Sequence, residues 1–249
     1  GLDGRKLEGD DVAFKLGPRI NASGRLGSAH KAVELLLARD ERTAQAAAME
    51  LDRLNEERKE IERALLADAL RAAAPFEDPL EHPVLVVAGQ GWHQGVVGIV
   101  AARLVERYAR PAIVIGLDGA QGRGSARSMP GFDVLEALSG GAEHLLRFGG
   151  HEQAAGCEVR ADAVDALRAA VARRAHAMLE RQGIEAPALW IDAELPFERM
   201  TPELMRELDR LKTDGERNER PLFLSCGLRL PEPPHVVGAD GTHLQLRVR

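Results

Sequence analysis

The first third of the chain has the hydrophobic pattern of one long helix. Between about residues 40 and 74, apolar residues recur at intervals typical of a single helical stripe: Ala47, Leu51, Leu54, Ile61, Leu65 and Ala72. Asp40 suits the N-cap position, and Pro75 ends the helix because the residue before a proline disfavours helical geometry. At about 1.5 Å per residue the helix would span roughly 50 Å. Because most of its faces are polar and Arg58 interrupts the stripe, we expect a strut between two lobes rather than part of one compact core.

The residues before this helix carry a weaker pattern. Residues 1–16 are polar, which predicts a linker or the tail of a preceding domain. A short helix is expected over about 28–38, with Ser28 as its cap. Between them lies the segment GPRINASGRL, in which Arg19 and Arg25 flank Asn21.

From Val84 onward the pattern becomes that of an α/β domain. Apolar or alternating runs predict strands at Val84–Ala88, Ala112–Gly116, Gly122–Ser128 and Cys157–Arg160. Helices are expected between them, up to about Tyr108 and around Asp133–Leu138, and a closing amphipathic helix at Asp162–Glu180. Strands that alternate with helices predict an α/β fold with a mixed sheet flanked by helices.

A boundary near residues 182–187 separates this domain from a small β-rich module. The module contains LWIDAEL, a helix from Thr201 with Pro202 at its first position, and LFLSCGLRL. We therefore expect a junction at 1–39 that ends a preceding domain, a connecting helix at 40–75, an α/β domain at 76–182 and an incomplete module at 187–249. The first residue is glycine and the final HLQLRVR has the pattern of an unfinished strand, so we expect a fragment of a longer protein.

Composition limits the partners and the compartment. The 249 residues carry a net charge of −6, which argues against coating of duplex DNA without regard to sequence but allows a local basic groove. The two cysteines, Cys157 and Cys226, are far apart, as expected for a reducing cytoplasm without structural disulfides. No apolar run approaches the thickness of a bilayer, so we expect no membrane contact.

Candidate chemistry is concentrated in the segment FGGHEQAAG. Gly149 and Gly150 leave the backbone open to a ligand, and His151 places an imidazole beside them. We expect a loop whose backbone N–H groups bind an anion. The alternative is a tight turn with a surface histidine.

Two other segments have the composition of phosphate sites. In GRGSARS, Ser125, Arg127 and Ser128 have no acidic neighbour, so Arg127 could hold a phosphate with both arms of its guanidinium; the alternative is a solvated edge strand. Trp92 and His93 precede a helix whose N-terminus would favour an anion, although Trp92 could equally be a hydrophobic lid over a strand-to-helix turn. No Asp/His cluster suits two metal ions, so these residues predict phosphate binding rather than activation of water.

Five motifs, in order, resemble the RecJ family: GPRINASGRL, DRLNEERKEIE, WHQGVVGIVAARL, GSARS and FGGHEQAAG, over about Leu16 to Leu179. Members of that family are 5′→3′ single-strand-specific DNA exonucleases of the DHH phosphoesterase superfamily, with roles in DNA repair and recombination. The resemblance implies a preceding DHH domain that holds Mn²⁺ or Mg²⁺, a long connecting helix, a DHH-associated domain and an OB-fold. It therefore implies that this chain binds no metal itself and is inactive alone.

The resemblance also implies roles for particular residues. Gly149, Gly150 and His151 would face the metal site, with His151 as a catalytic residue; Ser125 and Arg127 would contact phosphate. Arg19, Asn21 and Arg25 would help to hold the substrate. Single-stranded DNA is the implied partner, together with a single-strand-binding protein or a helicase, and we expect a cytoplasmic monomer. Ser23 stands where the family usually has alanine, and TDGERNERPLF departs from the family's OB region, so the role of that segment stays open.

Two alternatives remain from the sequence. The first is a DHH-type phosphodiesterase of short oligonucleotides or cyclic dinucleotides, against which the long helix and the OB-like tail argue. The second is a non-catalytic nucleic-acid-binding module, like the DHH-associated domain of alanyl-tRNA synthetases. The PRINASGR segment favours the nuclease.

Overall fold

The computed structural model describes residues 7, 9–182, 189–210, 220–238 and 241–249. Within them the chain divides into two units, Gly1–Ile184 and Glu185–Arg249. The first unit contains all the candidate site residues.

The chain before the long helix is helical rather than extended. Helix α1 is Gly9–Asp11, a π-helical stretch covers Val12–Leu16, and α2 is Gly17–Leu26. The sequence did not predict this helical conformation, and the assignment of residues 1–16 to a linker or to the tail of a preceding domain stays a prediction. Contacts one turn apart support the helix, because Lys15 Nζ donates to Asp11 Oδ1 at 2.7 Å and Arg19 Nη1 donates to the Lys15 carbonyl oxygen at 2.6 Å.

Helix α3 covers His30–Leu37, and α4 covers Glu41–Ala73. The cap of the long helix is as predicted, since Asp40 Oδ1 accepts from the Thr43 N–H at 2.8 Å. Ser28 is not the N-cap of α3, which starts two residues later than expected; its hydroxyl oxygen accepts from the His30 N–H at 3.2 Å. A 3₁₀ turn at Ala74–Phe76 follows α4 at the expected proline.

The long helix is not a strut along its whole length. Its first half packs against α2 and α3, but Leu65, Ala69 and Ala73 in its second half are buried in the core of the α/β domain. The expectation that the helix lies outside a compact core is therefore wrong for this half. The charge that interrupts the stripe is neutralised locally, because Arg58 Nη1 donates to Glu62 Oε2 at 2.5 Å.

The core of the domain is a five-stranded sheet in the order β1-β2-β3-β5-β4. Its strands are β1 Leu85–Gln90, β2 Ala112–Asp118, β3 Gln121–Arg127, β4 Leu145–His151 and β5 Ala154–Arg160. The β1–β2 pair is parallel and the other pairs are antiparallel, so the sheet is mixed, as predicted. Helix α5, Val97–Tyr108, makes the crossover that the parallel pair needs.

Helices cover both faces of the sheet. On one face, α5 and the second half of α4 pack against β1 and β2. On the other, α6 (Val134–Ser139) and α7 (Val164–Gln182) bury a second cluster that includes Ile113, Ala126 and Val159. Because α4 lies over β1 and α5 lies over β2 and β3, the β5–β4 end of this face is left open.

The second unit contains short strands and one helix. Strands β6 (Ala193–Glu194) and β7 (Phe223–Leu224) pair in parallel, and β8 (His235–Val237) and β9 (His243–Gln245) pair antiparallel. Helix α8, Pro202–Arg210, begins with the predicted proline. Most of the divergent segment TDGERNERPLF lies outside the described residues. Among the described helices, none combines the length and apolar character needed to cross a bilayer.

Candidate nucleic-acid interface

The segment FGGHEQAAG forms a β-hairpin and not an open loop. Gly149 pairs with Gly156 and Gly150 pairs with Ala155 between β4 and β5, and only Glu152 and Gln153 form the turn. The predicted anion-binding loop is therefore wrong in its backbone conformation. The reason is the strand pairing: partners on β5 hold the adjacent glycines in an extended ladder, which the local sequence does not reveal.

The two glycines have different roles in this hairpin. Gly150 has φ +152°, and a Cβ there would meet the Ala154 carbonyl oxygen and lie 2.5 Å from the Ala155 Cα. Gly149 has open space, because a Cβ there would have no atom of the described residues within 4 Å. The fold therefore requires glycine at Gly150 but not at Gly149.

We expect Gly150→Ala to lower the free energy of unfolding by about 1–3 kcal/mol, the usual cost of forcing atoms into a packed site. Gly149→Ala is the matched control and should unfold at the same denaturant concentration as the wild type. Urea unfolding followed by circular dichroism measures both. Equal midpoints for the two variants would contradict the assignment of Gly150 as the structurally required glycine.

The strand register brings the predicted site residues onto one face. Residues paired across antiparallel strands point to the same side, which here is the side partly covered by α5. Three cross-strand rows on β3, β5 and β4 form what we call the polar face: Arg127–Ala154–His151, Ser125–Gly156–Gly149 and Arg123–Glu158–Arg147. A cleft of about 460 Å³ opens along two of these rows, with Gln94 and Val97 at its border.

The first turn of α5 lies directly against the polar face. A Cβ at Gly98 would be 2.9 Å from Ser125 Oγ and 3.0 Å from Arg127 Nη2. Glycine at this position therefore lets the two side chains reach the N-terminus of the helix. Within the described part of the chain no side chain caps that terminus, and its partial positive charge favours an anion.

Arg127 is half-buried beside a second arginine. Its Nη1 donates to Ser125 Oγ at 2.9 Å and to the Ala126 carbonyl oxygen at 2.8 Å. Burial lowers the pKa of the Arg127 guanidinium, and the nearby charge of Arg25 lowers it further. Among the residues that the structure describes, neither arginine has an ion pair with a carboxylate. Two cations held together in this way create a site that an anion would stabilise.

Helix α2 brings Arg25 to this site. Arg25 Nη1 donates to the Gly95 carbonyl oxygen at 3.1 Å, and a Cβ at Gly95 would collide with the Arg25 backbone. Arg19, in contrast, pairs with Asp52 on α4, and Asn21 is exposed on α2. The structure thus joins one of the three residues of the PRINASGR motif to Ser125 and Arg127.

The remaining candidates have contacts within the chain. Trp92 packs over Gly89, where a Cβ would overlap the indole ring, so its geometry is that of the lid over a strand-to-helix turn. Ser128 Oγ donates to the Phe132 carbonyl oxygen at 2.6 Å. His93 is exposed, and its Nδ1 accepts from the Gly95 N–H at 3.1 Å. A role in binding phosphate stays a prediction for these three residues.

His151 is exposed at the end of β4, in the same row as Arg127. Its Nδ1 accepts from the Gln153 N–H at 3.3 Å. When Nδ1 is an acceptor, the proton of the neutral ring is on Nε2. The imidazole can therefore donate a hydrogen bond away from the hairpin without first gaining a charge.

Sequence reasoning missed Arg123, Glu158 and Arg147 on the same face. The available signal was the period of two along a strand, because Arg147 precedes Gly149 and His151 at that spacing. This spacing indicates a shared face only in a strand, and the segment was interpreted as a loop. Within the described residues, no group of three or more His, Cys, Asp or Glu side chains could hold a metal ion.

Comparison with known proteins gives two domain matches. A DHHA1 domain model matches residues 81–177, and a RecJ OB domain model matches residues 191–249. The single-stranded-DNA-specific exonuclease RecJ of Bacillus subtilis is 37% identical over 254 residues, which cover 98% of this chain and 32% of that protein. The Thermus thermophilus RecJ is 39% identical over 249 residues, covering 100% of this chain and 34% of that protein.

Solved structures agree with these matches. The crystal structure of Thermus thermophilus RecJ in complex with Mn²⁺ aligns with a TM-score of 0.84 and 36% identity, over 98% of this chain and 35% of that one. The crystal structure of the same protein in complex with Mg²⁺ also aligns with a TM-score of 0.84. A crystal structure of exonuclease RecJ bound to manganese gives a TM-score of 0.57 at 40% identity, over 67% of this chain and 41% of that one.

The fold and the two domain matches define a DHHA1 domain followed by an OB domain of the RecJ type. The chain belongs to the RecJ family and is homologous to the C-terminal region of its single-stranded-DNA-specific exonucleases. It spans about a third of the length of these relatives. The predicted family and fold class are therefore confirmed, and the homology supports the nuclease interpretation over its two alternatives.

Proposed function

We propose that this chain is the substrate-holding part of a 5′→3′ single-stranded-DNA-specific exonuclease and that the polar face contacts the DNA backbone. The observation that carries the proposal is the pair of adjacent arginines without a carboxylate partner among the described residues, Arg127 and Arg25, at the N-terminus of α5. The names of the relatives at 37% and 39% identity support the substrate class.

The hydrogen bonds already present determine what each side chain can offer a phosphate. Ser125 Oγ accepts from Arg127 Nη1, so the hydroxyl proton is free to donate to an anion. The remaining N–H groups of Arg127 and the start of α5 add charge-assisted contacts. In the same row, His151 would donate from Nε2 to a phosphate oxygen or to the leaving oxygen.

Hydrolysis also needs groups that the described residues do not provide. The related structures contain Mn²⁺ or Mg²⁺, whereas the described part of this chain has no cluster fit to hold such an ion. We therefore assign the divalent cation to a separate DHH domain of the full-length protein and expect the isolated chain to bind DNA without cutting it. A role in DNA repair and recombination, a cytoplasmic location, a monomeric state and a protein partner such as a helicase or a single-strand-binding protein belong to the same proposal.

The direct test is the selectivity of binding by this chain. Because Arg127 is half-buried beside the first turn of α5, we expect it to be more accessible to the backbone of a flexible single strand than to that of a rigid duplex. We expect fluorescence anisotropy to show single-strand-selective binding that weakens with salt, with a logarithmic slope of about −0.7 for each phosphate contacted. Equal affinity for duplex and single strand would contradict the proposal.

A further inference from the structure

The polar face carries a second row of charges beyond Ser125. Arg123, Glu158 and Arg147 lie side by side on β3, β5 and β4. Glu158 Oε1 accepts from Arg123 Nε at 3.1 Å and from Nη2 at 2.9 Å. Arg147 is exposed and, among the described residues, forms no ion pair. The row therefore has one carboxylate between two guanidinium groups and lines the same cleft as Ser125.

The row between the two charged rows is almost bare. It consists of Ser125, Gly156 and Gly149. Counting the described residues, a Cβ at Gly149 would have no neighbour within 4 Å, and one at Gly156 would meet only the Gly124 carbonyl oxygen at 3.8 Å. The packing of the chain therefore does not require glycine at either position, although glycine weakens a strand. Because the two glycines have no side chains, the backbone of a bound ligand can approach this part of the cleft closely.

The spacing of the rows fits an extended polynucleotide. Same-face residues on a strand are roughly 7 Å apart, so the Arg127 and Arg123 rows are separated by roughly 13 Å. Successive phosphates of an extended single strand are separated by distances comparable with one such step. A strand held by Arg127 and Ser125 would thus place a later phosphate near Arg123 and Arg147.

We propose that Arg123 and Arg147 form a second phosphate subsite, which takes a later phosphate of the strand that Ser125 and Arg127 hold. This inference rests on the proposed function and specifies its ligand: an oligonucleotide with at least three successive backbone phosphates, because the two charged rows are two phosphate steps apart, with the intervening sugar-phosphate over Gly149 and Gly156. In the free protein Glu158 forms an ion pair with Arg123. Glu158 therefore competes with the incoming phosphate for Arg123 and lowers the affinity of the second subsite.

The test compares the affinities of 5′-phosphorylated oligothymidylates from two to six nucleotides for this chain, by anisotropy competition. In the wild type, affinity should rise about tenfold when the oligonucleotide becomes long enough to reach the second row. The double variant Arg123→Ala/Arg147→Ala should lose this rise but bind the dinucleotide as before.

Glu158→Gln should enlarge the rise, because it frees Arg123 and removes a negative charge. For the hexanucleotide, the double variant should show a logarithmic salt slope that is shallower by about 0.7 for each phosphate it no longer neutralises.

A matched control separates these effects from a general loss of positive charge. Arg173 is an exposed arginine on α7, which covers the opposite face of the sheet. Arg173→Ala should keep the full length-dependent rise.

If the wild type bound no oligonucleotide at all, the proposed function itself would be wrong. If the double variant kept the rise while Arg127→Ala weakened the binding of every oligonucleotide, the second subsite would be overturned and the proposed function would stand. Weaker binding by Glu158→Gln would overturn the competing role of Glu158.

Discussion

Replacing Arg127 by alanine should weaken the binding of single-stranded DNA by about ten- to a hundredfold and leave kcat of the full-length protein nearly unchanged. The magnitude follows from the loss of charge-assisted hydrogen bonds, which contribute about 1.5–3 kcal/mol. The side chain would hold the phosphate in both the ground state and the transition state, so its loss affects binding more than chemistry.

Folding should not suffer in this variant. Arg127 is half-buried next to Arg25 without a carboxylate partner among the described residues, so its removal relieves repulsion rather than breaking an ion pair. Anisotropy with a labelled oligonucleotide, paired with a thermal melt, measures both properties. Arg127→Lys should recover part of the affinity, because it keeps the charge but loses the planar fork. A lower melting temperature with unchanged affinity of the folded fraction would show that Arg127 is only a packing residue.

The parts of the fold that the sequence predicted are those determined by local chemistry. The apolar runs that became β1 and β2 need no partner to be recognised, because burial on both faces makes them continuous. The cap of α4 is equally local, since Asp40 and Thr43 are three residues apart. The family motifs added the identity of the domain but not its strand pairing.

The main errors concern pairing between segments of the chain, whether neighbouring or distant. Gly149 and Gly150 indicated a loop because glycine is rare inside strands, and only their pairing with β5 makes them part of one. The contact between Arg25 and Gly95 joins residues 70 positions apart, so no local pattern predicts it. The row Arg123–Glu158–Arg147 has the same origin: its members become neighbours through the register of three strands.

The strand register also determines where His151, the catalytic candidate, lies relative to Arg127. His151 and Arg127 are the two ends of one row, with Ala154 between them, so both can reach a phosphodiester that lies across β5. The small side chain of Ala154 leaves room for that group. Predicting this arrangement requires the pairing of β3 with β5 and of β4 with β5 together.

His151→Ala should lower kcat of the full-length protein by about a hundred- to a thousandfold, the usual cost of removing a donor aimed at developing charge. Its Nδ1 accepts from the Gln153 N–H, so the proton on Nε2 points away from the hairpin. A contact that strengthens as charge develops is worth more in the transition state, so KM should change much less than kcat. Steady-state kinetics on a uniform oligonucleotide, with a melt of each variant, measure the two effects.

Two further variants make the result specific to this imidazole. His151→Gln should recover part of kcat, because its side-chain amide can donate from a similar position. His176→Ala removes an imidazole from α7 on the opposite face of the sheet, and kcat should stay at the wild-type value. The exposed position of His151 predicts unchanged melting for His151→Ala. If that variant instead melted early while its folded fraction kept full kcat, His151 would stabilise the hairpin turn through Gln153 and take no part in the reaction.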